Sequence, residues 1–385
     1  MSRGRVLLVV AVFVMVLALM NCYGASKTIN LGAIQPISGV VSAYGIQTRD
    51  AINMAVDEIN AKGGILGKQI KMIVEDDEAS PDKSMNALKK LVAKDKVVGF
   101  VGALTSKCSL AITKYAQAKK VIMISPSSTN DTVTDAGDYI YRACYKDSFQ
   151  GQVVAQFSFE TLKAKKAAIL YDITNDYSKG LTTNFSDKFK ALGGQIVASE
   201  SYSAGDKDFN AQLTKIKAAQ PEVLLIPDYY NTVSLIAKQV RGQGLNIPLV
   251  GADGWDEVTN NAGDEVLNCY YSNHYHPEAN DPEVKNFVKK FGEKYKDASG
   301  KPVVPNALAA LGYDATYILA EAITKAGSTD PEKIKAAMMQ TNRKFVTGNI
   351  KFDAHRNPVK SAVMLKIVKG ADGKLTTQYA GTVNP

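Results

Sequence analysis

The sequence predicts an α/β protein of two lobes, each a mostly parallel sheet flanked by helices. Three observations predict it. Short β-branched runs alternate with amphipathic helical stretches. The alternation starts twice, near residue 29 and again after residue 150. Two polar turns, Gly102-Ala103-Leu104-Thr105-Ser106 and Ser125-Pro126-Ser127-Ser128-Thr129, each close such a run. In a parallel sheet, turns of this kind gather at the carboxyl edge, where ligands bind. Hydroxyls and free backbone N–H groups at that edge suit a small anion such as a carboxylate.

At the N-terminus, Arg3 and Arg5 precede an unbroken apolar run from Val6 to Met20. That run is too short to span a bilayer and matches a secretory leader, residues 1–24. Gly24, Ala25 and Ser26 supply a small-residue cleavage site. Cys22, three residues after Leu19, keeps a second route open, a lipid anchor on that cysteine, although Asn21 suits it poorly. Either route places the mature chain in the periplasm or otherwise outside the cytoplasm.

Residues 29–34 read as the first strand. Ile52, Ala55, Val56 and Ile59 share one stripe of a helix over 46–60, which Gly63 and Gly64 end. A strand at 70–74, a helix at 82–94, a strand at 97–101, a helix at 107–118 and a strand at 121–124 complete the first unit. The second carries strands at 167–171, 196–201, 223–226 and 249–251, with helices at 178–192, 208–219 and 231–243 between them. Helices at 282–297, 305–326 and 331–340 and strands near 362–368 and 375–380 make no third core. They extend the two lobes, so the chain passes between lobes more than once. No Gly/Ser- or Pro-rich tether separates the units.

A chain of 385 residues is long for one core and suits two. Its 45% apolar and 22% charged content is that of a soluble globular protein. Loss of Arg3 and Arg5 with the leader takes the net charge from +8 to +6, and basic residues are scattered among acidic ones. That pattern excludes a nucleic-acid partner. Cys108, Cys144 and Cys269 allow one disulfide and one buried thiol, with the pair undetermined. No phosphate-loop, zinc-protease or nucleophile-elbow motif is present, so the chain does not read as an enzyme. His274 and His276 alternate as strand neighbours would, but lack a third metal ligand and read as surface residues. Asp76-Asp77-Glu78 lacks the spacing of a calcium loop. No metal or cofactor is expected.

One family resemblance runs along the mature chain. It is carried by Ile59-Asn60-Ala61-Lys62-Gly63-Gly64-Ile65-Leu66-Gly67, the Asp76-Asp77 pair and both polar turns. It continues through Gly251-Ala252-Asp253-Gly254 and Ala310-Leu311-Gly312-Tyr313-Asp314-Ala315. In order and spacing the chain resembles periplasmic substrate-binding proteins for branched-chain amino acids, which serve ABC transporters. The resemblance implies a type I two-lobed fold with three hinge crossovers. Lobe I would be 25–145 plus 277–353, and lobe II 146–276 plus 354–385. It implies a monomer that takes a small amino acid in the cleft and presents it to a membrane permease.

Residue by residue, the resemblance gives Ser106 as hydroxyl donor to the ligand carboxylate and Ser127 as a backbone contact. Thr129 would meet the carboxylate through its N–H and the ammonium through its hydroxyl. Asp253 would take the ammonium, an ion pair carrying about 4 kcal/mol of Coulomb energy before desolvation. Tyr44, Tyr177 and Tyr229 would form pocket walls; Tyr230 is the alternative to Tyr229 if the register slips by one. Trp255, two residues after Asp253, reads either as a roof over the side-chain pocket or as ordinary packing at a loop edge. Thr105 and Ala79 occupy positions where some relatives carry a disulfide, so that bridge is missing. Read from the residues alone, the hydroxyls fit helix caps and Asp253 fits a turn before Gly254. The mechanism implied is a hinged clamp: ligand docks on lobe I, then lobe II closes with Asp253 and the tyrosines. The competing readings are a receptor for urea, short amides or another amino-acid class, or a ligand sensor of the same fold.

Overall fold

The computed structural model describes residues 28–385. The leader expected at 1–24, with Cys22, lies outside them. Among the described residues no helix is long and apolar enough to cross a membrane.

The first sheet is wholly parallel. It consists of β1 (Thr28–Gln35), β2 (Gln69–Asp76), β3 (Gly99–Val101), β4 (Ile122–Ser125) and β5 (Ile140–Arg142), in the order β2-β1-β3-β4-β5. Helices cover both faces, so β3 and β4 are buried throughout and read as unbroken runs rather than alternating ones. The crossovers are α1 (Ser42–Ala61), α2 (Pro81–Ala93) and α3 (Ser106–Ala118). The turn from β3 to α3 lies tight against β1. Gly102 sits there at φ +151°, and a Cβ on it would come 2.7 Å from the Ile34 carbonyl oxygen.

The chain leaves this lobe after β5 and enters α4 (Asp147–Gln156). It then builds β6 (Lys166–Asp172), α5 (Asp176–Ala191), β7 (Gln195–Tyr202), α6 (Asn210–Ala218) and β8 (Val223–Leu225). α7 (Tyr230–Gly242), β9 (Leu249–Gly251), the short α8 (Val258–Asn261) and β10 (Tyr270–Asn273) follow. It returns to the first lobe as α9 (Pro282–Lys294), α10 (Ala307–Ala326), α11 (Pro331–Met338) and the hairpin β11 (Asn342–Phe345) with β12 (Gly348–Lys351). Leu311, Ile318, Leu319 and Ile323 of α10 pack into the core of the first sheet. A third passage leads to β13 (Ala362–Lys369), which adds antiparallel to β10, and β14 (Leu375–Val383), which adds antiparallel to β13. The second sheet is therefore ordered β14-β13-β10-β9-β8-β6-β7.

Three short segments thus cross between lobes: 143–146, 274–281 and 352–361. The lobes are closed on each other. Val41, Tyr44, Leu104 and Leu308 from one pack in a single apolar cluster with Tyr230 and Trp255 from the other.

Several elements were not expected from the sequence: β5, α4, β10 and the β11–β12 hairpin. β5 and β10 have three and four residues, and each ends on polar groups. Arg142 closes β5 fully buried, donating to the carbonyls of Ser128, Asn130 and Asp131. The cysteine expectation is corrected as well. Cys108, Cys144 and Cys269 are all free and buried. Burial pushes the Cys108 and Cys144 thiols up to about 12.

Candidate functional site

The parallel strands of both lobes aim their carboxyl ends at one cavity with about 290 Å³ of empty space. Six of the eight expected residues line it: Tyr44, Ser106, Ser127, Tyr177, Tyr229 and Asp253. Leu104, Thr105, Gly254 and Leu308 complete the wall. None of these four was expected as a ligand contact, although Leu104, Thr105 and Gly254 sit within the polar turn at 102–106 and the Gly251–Gly254 run. Leu308 had no local signal, because only tertiary packing brings the first turn of α10 to the cleft.

At the first lobe's end of the cavity, the two polar turns are sewn together. The Ser125 and Ser128 hydroxyls donate to the Ala103 carbonyl at 2.7 and 3.2 Å. The Ser127 hydroxyl donates to the Leu104 carbonyl at 2.9 Å. The side chain of Ser127 is thus occupied by the scaffold, and its backbone is what remains for a ligand. Ser106 is different. It opens α3, and its oxygen accepts the Asn130 N–H at 3.2 Å, which leaves its proton to donate. It is not the cap of that helix. Thr105 is, and Thr105 makes no side-chain capping bond. Among the described residues the first N–H groups of α3 therefore lack both helical and side-chain partners, a setting that favours an anion.

The second lobe supplies the opposite end. Asp253 follows β9 on a short 3₁₀ turn, Asp253–Trp255, and is buried. Its Oδ1 accepts the Tyr177 hydroxyl at 2.9 Å and the Gln150 amide at 3.1 Å. Its Oδ2 meets His274 Nε2 at 3.0 Å. Burial pulls the His274 imidazole down to about 4, outweighing the nearby carboxylate. At neutral pH the contact is therefore a hydrogen bond from a neutral ring and not an ion pair. All three partners are neutral, so the charge of Asp253 is solvated by dipoles and not cancelled.

Aromatic rings form the walls. Tyr177 stacks on Tyr229 with centroids 5.2 Å apart and planes at 13°, and Tyr44 stands edge-on to Tyr229 at 6.2 Å. Gly254 donates its N–H to the Tyr177 hydroxyl at 2.8 Å, and a Cβ there would come within 2.7 Å of that oxygen. Tyr44 reaches across the cleft to donate to the Gly254 carbonyl. Tyr229 lines the cavity; Tyr230 points elsewhere and donates to the Val40 carbonyl at 3.2 Å.

Two expected residues lie outside the cavity wall. Trp255 is fully buried in the second lobe's core, donating its indole N–H to the Ile226 carbonyl at 2.8 Å, with its ring against Gly251. It is scaffold and not a roof. Thr129 is fully buried beneath the cavity, its carbonyl accepting the Asp147 N–H at 2.8 Å and its hydroxyl lying beside the Asp147 carboxyl. Burial raises that carboxyl well above the ordinary range. The surface reading of the histidines is also corrected: His274 and His276 are both buried. Among the described residues no cluster of three or more His, Cys, Asp or Glu groups could hold a metal ion.

Outside the cavity, further bonds join the lobes. Gln47 and Asn306 of the first lobe donate to Glu257 Oε1 at 2.7 and 2.8 Å. The Ala307 N–H, at the start of α10, donates to Asp256 Oδ2 at 2.6 Å. Asn130 Nδ2 donates to the Asp176 carbonyl at 3.0 Å.

The model of the periplasmic binding protein family matches residues 28–374. The leucine-, isoleucine-, valine-, threonine- and alanine-binding protein of Pseudomonas aeruginosa is 32% identical over 334 residues, 86% of this chain and 87% of that one. Among solved structures, a leucine-binding protein from Thermotoga maritima superposes with a TM-score of 0.86 at 34% identity, covering 93% of this chain and 99% of that one. A branched-chain amino acid transporter substrate-binding protein from Streptococcus pneumoniae, solved with isoleucine, gives 0.84 at 34% identity, covering 93% and 100%.

Proposed function

We propose, from the fact that this chain belongs to the periplasmic binding protein family, that its cleft captures an α-amino acid with a branched aliphatic side chain. The chain is a substrate-binding protein of the branched-chain amino acid ABC transporter type, and that family and fold are those of solute-binding proteins. The loaded protein works outside the cytoplasm as a monomer and hands its ligand to a membrane permease.

One observation carries the choice of ligand. A buried carboxylate with only neutral partners faces, across one small cavity, a helix start with free N–H groups and the Ser106 hydroxyl. An amide or a simple carboxylate would leave Asp253 buried without a counter-charge, which is costly. A zwitterion satisfies both ends. Its carboxylate sits at Ser106 and the α3 N-terminus, with the Ser127 backbone beside it. Its ammonium sits at Asp253. Tyr44, Tyr177, Tyr229, Leu104 and Leu308 enclose an aliphatic side chain. Closure is favoured because each lobe grips a different charge of one molecule.

Calorimetry tests this with leucine, isoleucine and valine against urea, acetamide and benzoate. The amino acids bind, and Asp253→Asn weakens leucine by about 2 kcal/mol or more, since the ammonium loses its charged partner. Binding of an amide or benzoate but of no amino acid would overturn the reading.

A further inference from the structure

Asp253 depends on His274 in a way that its other partners do not duplicate. Tyr177 and Gln150 both donate to Oδ1; among the described residues His274 alone holds Oδ2. One oxygen fixed twice leaves a carboxylate free to rotate about its own bond. The third donor fixes the plane, and with it the direction in which the remaining lone pair faces the cavity.

The imidazole is itself held by the hinge. His274 is the first residue of the second crossover, directly after β10. The pairing of β10 with β9 is what brings it beside Asp253. Its ring stacks on Tyr145 of the first crossover, with centroids 3.8 Å apart and planes at 23°. Lys360 of the third crossover is buried, donates to the Thr347 hydroxyl, and lies close enough to oppose protonation of the ring. The first passage thus stacks on this neutral histidine, the second carries it, and Lys360 of the third lines the same cavity as its ring. Because a carboxylate only accepts, Nε2 carries the hydrogen. Nδ1 is bare, and among the described residues it has no hydrogen-bond partner.

We infer that His274 is a positioning residue: it sets the orientation of the Asp253 carboxylate and ties that orientation to the hinge, through its own crossover and the Tyr145 ring of the first. The inference rests on the reading of Asp253 as the ammonium partner.

The test is a double-mutant cycle on leucine affinity, measured by calorimetry at pH 7. His274→Phe keeps a flat ring against Tyr145 and removes the donor. It should weaken leucine about 10- to 100-fold, the size of a lost charge-assisted hydrogen bond. His274→Gln, whose amide nitrogen stands the same number of bonds from Cα as Nε2, should stay within about fivefold of the parent, whereas the shorter His274→Asn should not. Against an Asp253→Asn background, His274→Phe should change affinity less than about twofold. Unchanged leucine affinity in His274→Phe, or an equal loss in both backgrounds, would overturn the positioning role. Parental affinity in Asp253→Asn alone would instead overturn the ammonium reading, and this inference with it. If His274→Phe melts early, the Gln and Asn variants decide: equal affinities in the two would refute the role.

Discussion

Two serines in neighbouring turns look interchangeable in the sequence and are not so in the fold. The Ser106 hydroxyl has a proton to offer the cavity, while the Ser127 proton is held by the Leu104 carbonyl. Ser106→Ala is expected to weaken leucine binding by about 1–3 kcal/mol with little change in melting temperature. Ser127→Ala should do the reverse, costing about 1 kcal/mol of stability and little affinity, because it cuts the stitch between the two turns. Parallel calorimetry and thermal melts on the two variants check this. The same contrast explains what was legible at this scale. Polar groups within two turns of a strand end could be placed at the cleft from the sequence, since the sheet edge is a property of local pattern. Trp255 and His274 could not. Each lies within two residues of a strand end or of Asp253, yet which face of the turn points inward depends on packing against Ile226, Gly251 and Tyr145. An alternating His-x-His looks like exposed strand decoration only when nothing covers it.

Among the elements, the start of α10 carries more than its own fold. It is the point where Asp256 of the second lobe docks, accepting the Ala307 N–H at 2.6 Å. Burial, with Glu257 beside it, pushes the Asp256 carboxyl up to about 7. The unfolded chain releases that proton near pH 4. Between those values the native state holds a proton the unfolded state has lost, so stability falls as pH rises from about 4 to 7. Asp228, raised to about 7, and Asp314, to about 6, act in the same sense. His274, lowered to about 4, acts oppositely below about 6.5. Asp256→Asn removes only the first of these. Its stability relative to the parent should therefore grow from pH 5 to pH 8, by roughly 1–3 kcal/mol, in thermal melts across that range; a constant difference would refute the assignment. Long elements with a clear period, such as α1 and α10, were readable to within a few residues. β5 and β10 were not, because a three- or four-residue strand ending in Arg142 or Asn273 has no period to read, and its strand character comes from the neighbours that pair with it.

For the whole molecule, the closed form includes bonds that straddle the cleft without lining it, Gln47 and Asn306 on Glu257 and the Ala307 N–H on Asp256. They add to the apolar contact of Val41, Tyr44, Leu104 and Leu308 with Tyr230 and Trp255, and ligand shifts the balance toward closure by touching both lobes. Small-angle scattering is expected to show a smaller radius of gyration on adding leucine, and none of that compaction with acetamide. A chain already compact without leucine would show that the straddling bonds suffice. The doubled α/β rhythm made the two lobes legible in the sequence and required more than one passage between them, but composition did not place those passages, since residues 274–281 and 352–361 carry no compositional mark of a hinge. The three free thiols among the described residues have a practical consequence. Cys108, Cys144 and Cys269 are sealed in the interior, with their acidity suppressed by that burial, and a maleimide reaches only an accessible thiolate. A fluorophore attached to one engineered cysteine on each rim would then report the distance across the mouth without competition from these three native sulfurs. The molecule is in that respect ready-made as an optical gauge for its own cargo.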